Sequence, residues 1–340
     1  MSNGLVLITG ATGMVGFRVL VFVLRAGYTV RTATRSQESY ERIASLAPLA
    51  PYLSQLSNVV VPDITVLGAY NEAVKGVTYV IHVASPINEG TSTESYEISV
   101  VKPAVRGTLG MLEAAATEPS IKRIVITGSI ASLTSNTTHS DASLTEETRD
   151  VHITRPLQST QDAYIMSKYE AFEATNTFMR EQKPSFDVIT IMPCFVIGRD
   201  DTVTDAAQIT KGTNGIVMAS LLGYPRPALS GIQVHIDDVA EMHLRSLDPK
   251  IEGNQNFLAS GEDGGVTQWT DSFDIVKKRY PAELEAGIFK FADASVAETL
   301  HIPVSNAKAQ KVFGIKFKNY EEQVISVIDH YVELVKAKKN

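Results

Sequence analysis

Two hydrophobic periods alternate along the first half of the chain. Gly4-Leu-Val-Leu-Ile-Thr9 reads as a buried strand, and Met14 to Ala26 repeats its apolar positions at helical spacing. Gly27 supplies a stop for that helix. Tyr28 to Thr34 predicts a second strand, Val59 to Val61 a short third closed by Pro62, and Val77 to Ala84 a fourth closed by Ser85-Pro86. A long helix is predicted over Thr93 to Thr117, kinked where Pro103 and Gly107 interrupt it. Arg123 to Thr127 and Phe186 to Met192 predict a fifth and a sixth strand. Thr160 to Gln182 between them has helical spacing that stops near Pro184.

Strands alternating with helices predict an α/β fold, a Rossmann-type doubly wound parallel sheet. Beyond Pro193 the alternation breaks up. One helix is expected at about Gly215 to Leu222, a strand end and helix over Val234 to Leu247, and one more strand at Phe257 to Ala259. The expected organisation is a nucleotide-binding domain of residues 1–197 plus about 232–260. A smaller, mostly helical substrate lobe would take about 198–231 plus 261–340. No internal repeat or low-complexity tract is visible.

In such a sheet, ligands lie beyond the carboxyl ends of the strands. The residues that close each strand therefore carry the information: Thr9-Gly10, Arg35, Asp63, Ala84-Ser85, Thr127 to Ser129, and Pro193. The first of these opens Thr9-Gly10-Ala11-Thr12-Gly13-Met14-Val15-Gly16, set between a strand and a helix as a dinucleotide-binding turn requires. Gly10 suits the tight turn, Gly13 a close approach of backbone to pyrophosphate, and Gly16 the packing of helix on strand. The helix N-terminus offers unpaired N–H groups to phosphate.

Composition narrows the picture. The 340 residues are 44% hydrophobic and 20% charged, with a net charge of −7, which argues against a nucleic-acid surface. The one cysteine, Cys194, forbids an intramolecular disulfide and fits a reducing compartment. The first apolar run is strand-sized and has no basic leader. The most apolar segment, Val15 to Leu24, is too short to span a bilayer and contains Arg18. A cytoplasmic protein that binds no membrane is expected, as a monomer or homodimer.

A second constellation is Tyr164-Ile-Met-Ser-Lys168, inside the helix before the sixth strand. Residues four apart share a helix face, so phenol and ammonium can serve one site. An ammonium beside a phenol favours the phenolate, and such a phenol can exchange a proton with a carbonyl oxygen. Ser129, just past the fifth strand, can hydrogen-bond a developing oxyanion. Ser132 and Ser135 compete for that role, and Ser129 is preferred for its place at the strand end.

The end of the second strand discriminates between nicotinamide cofactors, an acid binding the ribose 2′-hydroxyl and an arginine the 2′-phosphate. Here Thr34-Arg35-Ser36 stands, and the first acid, Glu38, falls in the next helix. Arg35 is planar and always charged, which predicts NADPH over NADH. Arg31 reads as a solvated strand end.

Together these segments resemble an extended short-chain dehydrogenase/reductase. The resemblance rests on the glycine turn, Asp63-Ile64, Val83-Ala84-Ser85-Pro86, Ser129, Tyr164-x-x-x-Lys168, Pro193-x-x-Val196 and His235-Ile-Asp-Asp238-Val-Ala. Val100 to Thr108 and the segment from Tyr164 are similar to the branch of dihydroflavonol reductases, cinnamoyl-CoA reductases and fungal aldehyde or ketone reductases. The resemblance implies that Tyr164 donates the proton, Lys168 binds the nicotinamide ribose and Ser129 holds the substrate carbonyl. It implies cofactor contacts from Gly10, Thr12, Gly13, Met14, Val15, Gly16, Arg35, Asp63, Ile64, Val83, Ala84, Ser85, Thr127, Tyr164, Lys168, Pro193, Phe195 and Val196. It places the substrate against Pro86, Ile87, Ile130, Thr134 and Phe195, an apolar set suited to a small hydrophobic carbonyl compound. Two positions depart from the family. Gly128 stands where many members have serine, and the relay asparagine of the long helix has no match, with Lys102 near its place.

The remaining candidates read as structural. Cys194 and Trp269 are expected to pack, and His82 to be a satisfied core histidine. His235 and His243 around Asp237-Asp238 lack the spacing of a zinc site, so no metal is expected. Asp141 to Asp150 is expected to be a solvated loop.

The expected function is an NADPH-dependent carbonyl reductase. A nucleotide-sugar epimerase or dehydratase, or a steroid dehydrogenase, is the alternative on the same fold. Dehydratases usually add an acidic pair where this chain has Ile130-Ala131. A non-catalytic NADP-sensing regulator would tend to lose the tyrosine–lysine pair.

Overall fold

In the computed structural model, which describes residues 4–86, 95–135, 141–262, 264, 267–291 and 298–338, the first apolar run forms β1 (Leu5–Thr9). The helical spacing after it forms α1 (Met14–Arg25). The alternation continues through β2 (Thr29–Thr34), α2 (Gln37–Ala44), β3 (Leu56–Val60), β4 (Tyr79–His82), α3 (Lys102–Ala116), β5 (Arg123–Thr127), α4 (Thr160–Gln182) and β6 (Asp187–Pro193). Then come β7 (Phe195–Ile197), α5 (Asn214–Leu221), β8 (Leu229–Ser230), β9 (Gln233–His235), α6 (Ile236–Arg245) and β10 (Gln255–Ala259). The chain ends with α7 (Asp271–Arg279), α8 (Pro281–Glu285), β11 (Thr299–Leu300), α9 (Ala307–Phe313) and α10 (Tyr320–Ala337).

The chain divides into two units. The first is Met1–Asn136, Glu146–Met192 and Ala240–Phe257; the second is Thr137–Thr145, Pro193–Val239 and Leu258–Asn340. A seven-stranded sheet runs β10-β6-β5-β4-β1-β2-β3. Pairing is parallel from β3 through β6. Strand order reverses beside β1, where Thr9 faces Ala33 on one side and His82 on the other. That reversal is the switch point at which a doubly wound sheet opens a crevice.

α1 is apolar nearly all round, burying Phe17, Val19, Leu20, Val21, Val23 and Leu24. It ends where Gly27 adopts φ +84°. On the other face, Leu7, Val80, Ile124 and Val188 from four strands join Met111, Leu112 and Ala115 of α3 in one core. The expected kink in the long helix takes a different form. A π-helical turn, Glu97–Val101, leads into α3, so Pro103 lies in the first turn, where its missing N–H costs no helical bond. Asp141 to Asp150 is not simply a solvated loop. Leu144 and Glu146 are both buried, and Leu144 bridges to Val304.

The second unit has a core of its own, with Trp269 edge-on to Phe195 at 6.1 Å and to Tyr320 at 5.8 Å. Val324, Val327 and Ile328 of α10 pack in the same cluster. A capping box between Asn319 and Glu322 starts α10. Here β7 pairs with β9 and β8 with β11.

Arg123, at the start of β5, anchors the first unit internally. Its Nε donates to Asp187 Oδ1 at 2.5 Å, and one Nη2 N–H to Asp187 Oδ2 at 2.9 Å. The remaining N–H groups reach the carbonyls of Ser246, Asp248 and Ile251 at 2.7–3.0 Å. All five guanidinium donors are satisfied at a residue 5% exposed. Replacing Arg123 by Met leaves these acceptors unpaired and should cost about 3–5 kcal/mol. Urea unfolding reads this as a lower midpoint, and Lys, with a point charge in place of the fork, should not restore it.

Candidate active site

The glycine turn is built on backbone contact. Gly10 has φ +73°, and a Cβ there would lie 2.7 Å from the Ala84 nitrogen. A Cβ on Gly16 would lie 2.1 Å from the Gly10 carbonyl oxygen. Gly13 is exposed, with its nearest neighbour 3.8 Å from a would-be Cβ. It stands at the N-cap of α1 without a capping side chain, and no acid occupies the first turn. The first N–H groups of the helix are thus left to an anion. Arg42 of α2 donates to the Thr12 carbonyl at 3.2 Å and ties α2 to this turn.

Arg35 follows β2 and is exposed. Ser36 caps α2 by accepting the Ser39 N–H at 3.2 Å, and Glu38 lies in the first turn of that helix. Asp63 accepts from the Thr65 hydroxyl at 2.7 Å and the Thr65 N–H at 2.8 Å. These bonds, with a smaller contribution from the charge of Arg35, hold its carboxyl below the usual carboxylate range. Ile64 lies against Gly107, where an added Cβ would meet Ile64 Cδ1 at 3.0 Å. Arg31 is not a solvated strand end. Its Nη1 donates to the carbonyls of Ala73 and Lys75, each at 2.8 Å.

Ser129 follows β5 and caps a short 3₁₀ turn, accepting the Ala131 N–H at 3.2 Å. The Tyr164 hydroxyl donates to the same Oγ at 3.3 Å. α4, capped by Ser159 onto the Asp162 N–H, carries Tyr164 and Lys168 one turn apart. The Lys168 ammonium lies 5.7 Å from the centre of the Tyr164 ring. Ser129 is 7% exposed and Tyr164 39%, so the phenol faces solvent above a buried hydroxyl. The competing serines are engaged elsewhere: Ser132 donates to the Lys168 carbonyl at 3.2 Å, and Ser135 to the Asp150 carbonyl at 3.3 Å. Gly128 is confined, since a Cβ would meet Thr190 Cγ2 at 3.0 Å.

Ala84, beyond β4, donates its N–H to Thr9 Oγ1 at 3.1 Å, and Val83, Ser85 and Pro86 are half-buried beside it in the chain. Ile130 and Thr134 are buried, and Thr134 pairs with Asp150. Lys102 is exposed at the start of α3. Ile87 lies outside the described residues. Pro193, Phe195 and Val196 belong to the second unit, where Phe195 packs on Trp269 and Val196 pairs with Val234. Cys194 is buried there, and burial pushes its thiol up to about 12.

His82 corrects the sequence reading. Its Nδ1 lies 2.9 Å from Thr9 Oγ1, but its buried Nε2 has no partner among the described residues. Strand alternation placed the ring inside, yet which nitrogen lacks a bond depends on contacts across the sheet. Thr127 Oγ1, likewise, lies 2.7 Å from Nε2 of His243 on α6, a pairing 116 residues apart. Among the described residues no helix is long and apolar enough to cross a membrane.

Residues 6–257 match the model of the NAD dependent epimerase/dehydratase family. The chain is similar to Ketoreductase CTB6 of Cercospora nicotianae, 34% identical over 98% of this chain and 96% of that protein. It is similar to Aldehyde reductase 2 of Sporidiobolus salmonicolor, 32% identical over 83% and 82% of the two chains. Its fold is that of Gre2 from Candida albicans, solved in complex with NADPH, with a TM-score of 0.83 and 24% identity over 97% and 99% of the two chains. With its parallel sheet, its glycine turn and these matches, the chain belongs to the NAD dependent epimerase/dehydratase family, among the extended short-chain dehydrogenases/reductases.

Proposed function

We propose that this protein is an NADPH-dependent carbonyl reductase acting on small hydrophobic aldehydes or ketones. The observation that carries the reading is the Tyr164 hydroxyl bonded to Ser129 Oγ, with the Lys168 ammonium beside the same ring. Relatives named ketoreductase and aldehyde reductase support the reaction class. Ile130-Ala131 after Ser129, in place of acids, weighs against a dehydratase.

The residues present fit a nicotinamide dinucleotide. The bare N-terminus of α1 and the space above Gly13 suit its pyrophosphate. Exposed Arg35, with Ser36 next to it, suits a 2′-phosphate, and no acid ends β2 to bind a free 2′-hydroxyl. Lys168 and Thr127 would hold the nicotinamide end of the cofactor. When bound, the cofactor supplies a hydride to the carbonyl carbon.

The protein's part is to manage charge on the oxygen. Ser129 is held in place by the Ala131 N–H, so its hydroxyl proton is free to polarise the substrate carbonyl. Tyr164 is near enough to Ser129 to share that oxygen and to give it a proton. The Lys168 charge stabilises the phenolate left behind.

Replacing Tyr164 by Phe should lower kcat by about 10²-fold or more, the usual worth of a placed general acid. NADPH affinity by fluorescence titration should barely change; near-normal turnover would remove Tyr164 from the chemistry. Replacing Arg35 by Ala should raise the KM for NADPH roughly tenfold or more while leaving that for NADH nearly unchanged. Steady-state rates with each cofactor decide it, and equal effects on both would sink the assignment to the 2′-phosphate.

A further inference from the structure

In the first unit a cavity of mixed character is lined by His82, Thr108, Lys168 and Thr175 together with Ile126 and Phe172, among others. About 30 Å³ of it is open to the centres of water-sized molecules. One water needs roughly 10–15 Å³ by that measure, so there is room for one or two.

Thr108 donates its hydroxyl proton to the Ala104 carbonyl at 3.1 Å, and Thr175 to the Ala171 carbonyl at 2.9 Å. Their oxygens therefore offer only lone pairs to the cavity. Thr9 is 1% exposed, and its Oγ1 accepts the Ala84 N–H and lies 2.9 Å from His82 Nδ1; giving its proton to that nitrogen satisfies the buried hydroxyl. That arrangement puts the ring proton on Nε2, the buried nitrogen without a partner among the described residues. His82 and Lys168 thus line one cavity, and no carboxylate is among its described lining residues. Two donors there call for an acceptor between them.

We propose that ordered water in this cavity bonds both the His82 Nε2–H and the Lys168 ammonium, making His82 a positioning residue for Lys168. The inference rests on the function proposed above for the work it gives Lys168. Such a water accepts from both nitrogens and donates its own protons to Thr108 and Thr175. Burial, and to a lesser extent the Lys168 charge, pushes the His82 pKa down to about 4. The ring stays neutral through the physiological range and does not repel the ammonium.

The test joins structure to kinetics. A high-resolution crystal structure of the full chain should show water within hydrogen-bond distance of His82 Nε2. Long-range ¹H–¹⁵N spectra at neutral pH should show the Nε2-protonated tautomer. His82→Asn keeps a polar group near Nδ1 and removes the one at Nε2. It should lower kcat roughly tenfold, with the KM for NADPH within about twofold, as expected when a supporting contact is lost. His82→Gln, whose amide reaches toward the Nε2 position, should recover most of that loss. Thr175→Val preserves shape, withdraws one water acceptor, and should lower kcat by about threefold.

A dry cavity, the opposite tautomer, or wild-type kcat in His82→Asn and Thr175→Val would overturn the inference. So would equal losses in the Asn and Gln variants that track a falling thermal midpoint, because that marks a packing role. A wild-type protein that reduces no carbonyl compound with NADPH overturns the proposed function alone, since water and tautomer are read without turnover.

Discussion

The site depends on one steric constraint, the contact between the backbone at Gly10 and that at Gly16 and Ala84. A methyl group at Gly16 would overlap the Gly10 carbonyl, and one at Gly10 would strike the Ala84 nitrogen. Interiors packed at crystal density cannot absorb such overlaps by small shifts. The absence of two side chains therefore sets how closely α1 follows β1, and how closely the ends of β1 and β4 meet. Thr9 closes that junction by linking the Ala84 N–H to His82. The strand ends on either side of the switch point are held as one edge, and the bare start of α1 opens onto it.

A second framework sets the other half of the site. Arg123 joins β5 to β6 and to the turns that follow α6. β5 leads directly to Ser129, while α4, between β5 and β6 in the chain, carries Tyr164 and Lys168. An anchor at the beginning of β5 thus steadies the hydroxyl at its far end. The 3.3 Å contact between Tyr164 and Ser129 joins a packed helix to the turn that leaves a packed strand.

Much of this was legible in the sequence because the signals are local. The bounds expected for β5 and α4 are those observed, since α4 is long and each ends at a clear break. The shared face of Tyr164 and Lys168 follows from helical spacing alone, and the turn at Gly10 from its place between two periodic runs. What escaped depends on distant partners. Arg31 has the same composition cue as Arg35, yet it bonds carbonyls some forty residues away. Ser132 is set apart from Ser129 by its bond to the Lys168 carbonyl, while Ser129 takes the bond from Tyr164. The second unit's β7, β8, β9 and β11 are two or three residues long, too short to show a period of two. The buried place of Leu144 beside Val304 joins segments 160 residues apart, which no local pattern encodes.

Cys194 gives this chain a built-in clock. It is the only thiol in the sequence, it is buried in the second unit, and burial holds it protonated far above neutral pH. Only the thiolate reacts with alkylating or disulfide reagents. Labelling at neutral pH must wait for the surrounding structure to open, so its rate measures how often that part of the second unit loosens. Because no other cysteine competes, the signal comes from one known position and reports local breathing without any engineered probe.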